Sequence, residues 1–168
     1  MTETQETISQ WSIETFGDAG SNFRVAIRAQ EEMTELLVAI STHEPQEDII
    51  EEAADVAIVI YRLASRLGIT ISPYWMSDRE GLQLKTIASR ANKRLADIIV
   101  LLSMQDNDMW RTYSLQELMH FLRSLCTSLG SNLSDAVSTK MAINRGRKWR
   151  KDKAWKKSGS SYHIEETT

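Results

Sequence analysis

Two short stretches of carboxylates are where this chain could do chemistry. Glu31, Glu32 and Glu35 lie in the first, and Glu51, Glu52 and Asp55 lie in the second. Glu32 and Glu35 are three residues apart, as are Glu52 and Asp55. On a helix that spacing puts each pair on one face, with Cβ atoms about 5–6 Å apart. Like charges at that distance weaken a helix unless a cation neutralises them. Mg2+ suits such a cluster, being a hard ion that takes carboxylate oxygens and keeps waters and substrate phosphates as further ligands. A solvated acidic face is the ordinary explanation for one Glu-x-x-Glu. Here Asp55 sits inside Ala53-Ala54-Asp55-Val56-Ala57-Ile58, where a surface acid is out of place. Both stretches also carry the pattern. A metal site is the better reading.

Helices must position these acids, and the apolar periodicity supplies them. The first 20 residues hold one amphipathic segment, with Ile8, Trp11 and Phe16 as its apolar points, and Gly17 to Asn22 form a turn. Phe23 to Thr42 reads as a helix carrying the first acids. His43 to Gln46 ends it, and Asp48 is a candidate cap for the next. There Ile49, Ala53, Val56, Ile60, Leu63 and Leu67 recur at steps of three and four up to Gly68. Ile69 to Asp78 reads as a loop, and Gly81 to Met104 as a third long helix. Ser114 with Glu117 has the capping-box spacing and predicts the start of a fourth, ending near Gly130. Ser131 to Ala136 opens a last, short helix with Ser134-Asp135 as its start signal. The expected fold is an all-α antiparallel bundle in one domain over residues 1–157, with a disordered tail over 158–168.

Composition agrees with that class. The chain has 168 residues, 42% hydrophobic and 26% charged, with 2 Pro and 7 Gly, too few for a turn-rich β-sandwich. One cysteine, Cys126, excludes an internal disulfide and a CxxC zinc site. The N-terminus does not read as a signal peptide, and no apolar run reaches the ~20 residues that span a bilayer. A cytoplasmic protein without a membrane partner is expected. The net charge of −3 conceals an asymmetry: Arg145 to Lys157 carries +7, leaving −10 on the rest. An acidic body with a basic tail fits phosphate handling, and fits a solubilising tail equally.

Glu31-Glu32-Met33-Thr34-Glu35 followed by Glu51-Glu52-Ala53-Ala54-Asp55 resembles the EExxE…ExxD signature of the MazG-like all-α nucleoside triphosphate pyrophosphohydrolases. Trp11…Thr15-Phe16-Gly17 and the run from Lys140 through Asn144 and Arg147 to Trp149 resemble the flanks of phage-encoded members. The resemblance covers about residues 10–68 and 130–150. It implies that Glu32, Glu35, Glu52 and Asp55 bind Mg2+, with Mn2+ as a substitute, and that Glu31 is a further ligand or the base that orients water. It implies that Lys140, Asn144 and Arg147 meet the triphosphate. The reaction implied is cleavage of a (d)NTP between its α- and β-phosphates to a monophosphate and pyrophosphate, by a homo-oligomer, dimer or tetramer. Purine deoxynucleotides such as dGTP or dATP are the favoured substrates, and the resemblance extends to the phage MazZ-like subgroup, which removes guanine nucleotides. The alternatives are a dUTP, dCTP or phosphoribosyl-ATP pyrophosphohydrolase, or a non-catalytic module binding nucleic acid through the basic segment. Acids at all four ligand positions weigh against a stable nucleic-acid partner. A phage-encoded enzyme would work in the host cytoplasm.

One departure from that family is large. Leu63 to Gly68 has a similar partner in Leu125 to Gly130, and residues of about 69–130 form an extra helical insertion. Within it, Lys93-Arg94-Leu95-Ala96-Asp97 echoes Glu51-Glu52-Ala53-Ala54-Asp55 with bases for the glutamates. A degenerate second copy and coincidence are both open readings. Lys93 and Arg94 are the reserve candidates for phosphate contacts. His120 reads as a packed core histidine, and Trp75, Tyr74 and Trp110 more as covers of a bundle end than as nucleobase platforms.

Overall fold

The computed structural model describes residues 2–72, 82–104 and 107–149. Every regular element described there is an α-helix: α1 (Gln5–Phe16), α2 (Asn22–Thr42), α3 (Gln46–Arg66), α4 (Leu84–Leu101), α5 (Asp108–Ser128) and α6 (Leu133–Gly146). The expected all-α bundle is what forms. None of these helices is long and apolar enough to cross a membrane. Tyr74, Trp75, His163 and the basic run beyond Trp149 lie outside the described residues, as does the expected tail at 158–168.

Helix α2 begins where the Ser21 hydroxyl accepts the Arg24 N–H at 3.2 Å, satisfying a donor the first turn leaves unpaired. It ends at His43, left-handed at φ 60° and ψ 45°. Polar side chains such as histidine tolerate that region better than branched ones do. The short link to α3 makes α2 and α3 a helical hairpin, and α4 and α5 make a second. The two hairpins pack together, α2 against α4 and α3 against α5, and α1 and α6 lie along α3.

The core runs continuously through both hairpins. Met33, Leu36, Ile60, Leu63, Leu95 and Leu118 are among its fully buried members. Alanines on the contact faces, including Ala26, Ala29, Ala53, Ala57, Ala88 and Ala91, are also fully buried and let the helices approach closely. Trp11 and Phe16 of α1 meet Trp149 edge-on, with ring centroids 6.0 and 5.0 Å away, so Trp149 packs against the bundle. Two glutamine side chains then secure the chain after α3. Gln5 donates to the Ile69 carbonyl at 2.7 Å and accepts the Ile71 N–H at 2.9 Å. Gln116 donates to the Thr70 carbonyl at 2.9 Å and accepts the Ser72 N–H at 3.0 Å.

Some sequence expectations fail on helix ends. Pro45 stands at the α3 N-cap, and Asp48 lies in the first turn instead of capping it. Asn132, not Ser134-Asp135, caps α6. Helix α5 starts six residues before Ser114, and Ser114 and Glu117 are buried within it. Their three-residue spacing marks one face of a continuous helix, which gives the same letters as a capping box. Cys126 and His120 are core residues, His120 only 2% exposed.

Candidate metal centre

Carboxylates from α2 and α3 converge where the hairpin faces α6. Oxygens of Glu32, Glu52 and Asp55 lie within 4.8 Å of one another, the one such grouping among the described residues. Glu32 is buried, and Glu52 and Asp55 are half-buried. Burying three carboxylates together is costly unless cations or protons neutralise them. Helix geometry places them there. Glu52 and Asp55 share the stripe edge next to Ala53 and Val56, and Glu32 adjoins Met33 on the buried side of α2.

The neutralising groups present are incomplete. Arg28 pairs with Glu32 one turn away and with Glu31 at 2.8 Å. Lys140 of α6, itself buried, reaches Asp55 at 2.5 Å and Glu51 at 2.6 Å. Glu52 receives neither, and its buried Oε2 has no hydrogen-bond partner among the described residues. Burial, reinforced by Asp55 and Glu35, pushes the Glu52 carboxyl up to about 7. Burial also lifts Glu32 to about 8, outweighing the attraction of Arg28, with Asp55 and Glu35 adding to the rise. Asp55 is raised as well, chiefly by burial and against the pull of Lys140.

The remaining candidates fall into place around this trio. Glu35 is exposed at its rim, close enough to Glu32 for its charge to help raise that carboxyl. Glu31 is half-exposed and turned to Arg28, outside the trio. Lys140 lies against the acids, where the sequence reading had put it towards the triphosphate. Asn144 is buried; its Oδ1 accepts from Arg147 at 3.1 Å and its carbonyl accepts the Trp149 indole N–H at 2.8 Å. Helix α6 ends at Gly146, so Arg147 follows it in an extended conformation and its cation still lies near enough to favour ionised Asp55. Lys93 and Arg94 belong to a different cluster. Lys93 is exposed and holds Asp97 at 3.2 Å, while Arg94 binds Asp97 at 2.9 Å and also pairs with Glu117.

Sequence reasoning missed Glu51 as the second partner of Lys140, because nothing in the spacing of α3 announces a residue on α6. Compared with family models, with curated proteins and with solved structures, the chain finds no match in any of the three.

Proposed function

We propose that this chain is an Mg2+-dependent nucleoside triphosphate pyrophosphohydrolase that cleaves a (d)NTP between its α- and β-phosphates. The observation that carries the reading is the converging Glu32–Glu52–Asp55 trio with one carboxylate oxygen left without a partner among the described residues. An all-oxygen donor set on two rigid helices fits Mg2+ or Mn2+. Glu32, Glu52 and Asp55 would hold the ion, and Glu35 at the rim could reach it through water. Such an ion lowers the pKa of bound water and neutralises charge on phosphoryl oxygens.

The chain's own residues supply the rest. Lys140 and Arg147 bring two cations to the α6 side of the acids, where a triphosphate would carry negative charge. Asn144 orients Arg147 through its Oδ1. Glu52, whose carboxyl burial beside Asp55 and Glu35 pushes up to about 7, would give up its proton on taking the ion. Each (d)NTP, purine deoxynucleotides first, should be incubated with the protein and Mg2+ and the products separated. A nucleoside monophosphate with pyrophosphate is expected. A diphosphate with orthophosphate as the first products would refute the proposal.

A further inference from the structure

The second hairpin repeats the first at a constant offset of 62 residues. Gln30 of α2 donates to Asn92 of α4 at 2.9 Å, and these two residues are 62 apart. The same shift carries the start of α2, Asn22, onto the start of α4, Leu84. It carries α3, Gln46–Arg66, onto α5, Asp108–Ser128, at both ends. The helix ends agree in detail. After α3 the Ile69 N–H bonds to the Ala64 carbonyl at 2.9 Å and Gly68 has φ 69°. After α5 the Ser131 N–H bonds to the Cys126 carbonyl at 2.9 Å and Gly130 has φ 73°.

Equal lengths alone could arise in any pair of hairpins, but contacts between equivalent residues could not. Gln30 meets Asn92, and the Arg123 guanidinium lies near enough to the Tyr61 hydroxyl to favour its ionised form, again a pair 62 apart. A residue touching its own counterpart is the mark of a two-fold axis. The axis passes between α2 and α4 and between α3 and α5. The short echo of Glu51–Asp55 in Lys93–Asp97 is therefore out of register. In register, Glu32 corresponds to Arg94, Glu35 to Asp97, Glu52 to Ser114 and Asp55 to Glu117.

We infer that α4–α5 is a second copy of the α2–α3 hairpin in which the Arg94 guanidinium stands where the first copy needs a bound cation. Arg94 occupies the position of a metal-binding glutamate and bridges Asp97 to Glu117, the counterparts of Glu35 and Asp55. Ser114 removes a further charge at the counterpart of Glu52. The Arg94 guanidinium also lies 5.4 Å from the ring centroid of Tyr113, which stands at the position of Glu51. The chain thus carries two related centres, one open to metal and one closed by its own arginine. This inference rests on the metal reading of the first centre.

Counting bound Mn2+ by its electron paramagnetic resonance tests it. Arg94→Glu combined with Ser114→Glu puts carboxylates at all four equivalent positions, and the Mn2+ bound per chain should double relative to wild type. An unchanged count in a helical variant overturns the inference while leaving the first centre intact. A wild-type chain that binds no Mn2+ overturns both readings. Should the double variant not fold, Arg94→Gln decides. Its melting temperature should fall below that of wild type without metal, and millimolar Mn2+ should raise it by more than the same Mn2+ raises wild type. An equal or smaller rise overturns the inference.

Discussion

The two hairpins bury related carboxylates and neutralise them differently. In α4–α5, Arg94 lies between Asp97 and Glu117, and Glu117 is 4% exposed with its cation covalently supplied. In α2–α3, Glu32, Glu52 and Asp55 converge with Arg28 and Lys140 at their margins, and an oxygen of Glu52 has no partner among the described residues. A covalent cation satisfies its acids under all conditions, but it has no free coordination position to offer a substrate. An under-neutralised site is less stable alone and able to take a ligand. On the function proposed, the difference separates a part that holds the fold from a part that would work.

The largest test of that contrast is on the closed side. Arg94→Ala leaves the buried Glu117 carboxylate without its guanidinium, and should cost about 3–5 kcal/mol in chemical denaturation, the range for breaking a buried pair. A loss below ~1 kcal/mol would make the pair an ordinary surface contact. On the open side, Asp55→Ala should act on turnover instead. Its kcat should fall at least about 100-fold, close to 2.7 kcal/mol of barrier, with the helical circular dichroism unchanged. Retention of more than about a tenth of wild-type kcat would remove Asp55 from the site.

A smaller effect comes from protons. Glu32 and Glu52 have folded-state pKa values raised from 4.5 to about 8 and about 7. Between 4.5 and 8 the folded chain therefore binds more protons than the unfolded one, and stability must fall as pH rises through that window. Without metal, the melting temperature should drop by about 3–6 °C between pH 5 and pH 8.5, and Glu52→Gln should flatten the drop. Mg2+ competes with those protons, so it should raise the melting temperature more at pH 8.5 than at pH 5. A metal-free melting temperature that climbs over this range would contradict the arrangement.

Much of the open centre is legible in the sequence because it is local. Glu32, Glu35, Glu52 and Asp55 announce themselves by three-residue spacing, and Asp55 by its apolar neighbours. Their helices follow from the stripe Ile49, Ala53, Val56, Ile60 and Leu63, which the structure buries. The closed centre is not legible, since Arg94 and Glu117 are 23 residues apart and neither sits in an unusual context. Ser114 and Glu117 read as a capping box because local spacing cannot distinguish a helix start from a buried helix face. The repeat is legible only in part, where Leu125 to Gly130 matches Leu63 to Gly68 in register. Its matching positions exchange acids for a base and a hydroxyl, so identity fades where the chemistry diverged, while alanines such as Ala26 and Ala88 persist.

The hydrogen bond from Gln30 to Asn92 has one more consequence. In an assembly of identical chains, every substitution is made twice, once on each side of the axis. An arginine introduced at one acidic centre would enter the other as well, and both would close. Joining the two halves in one polypeptide removes that constraint, so position 30 can be glutamine while its counterpart, position 92, is asparagine. The linked chain can give up one centre without giving up both, and each half is then free to change on its own.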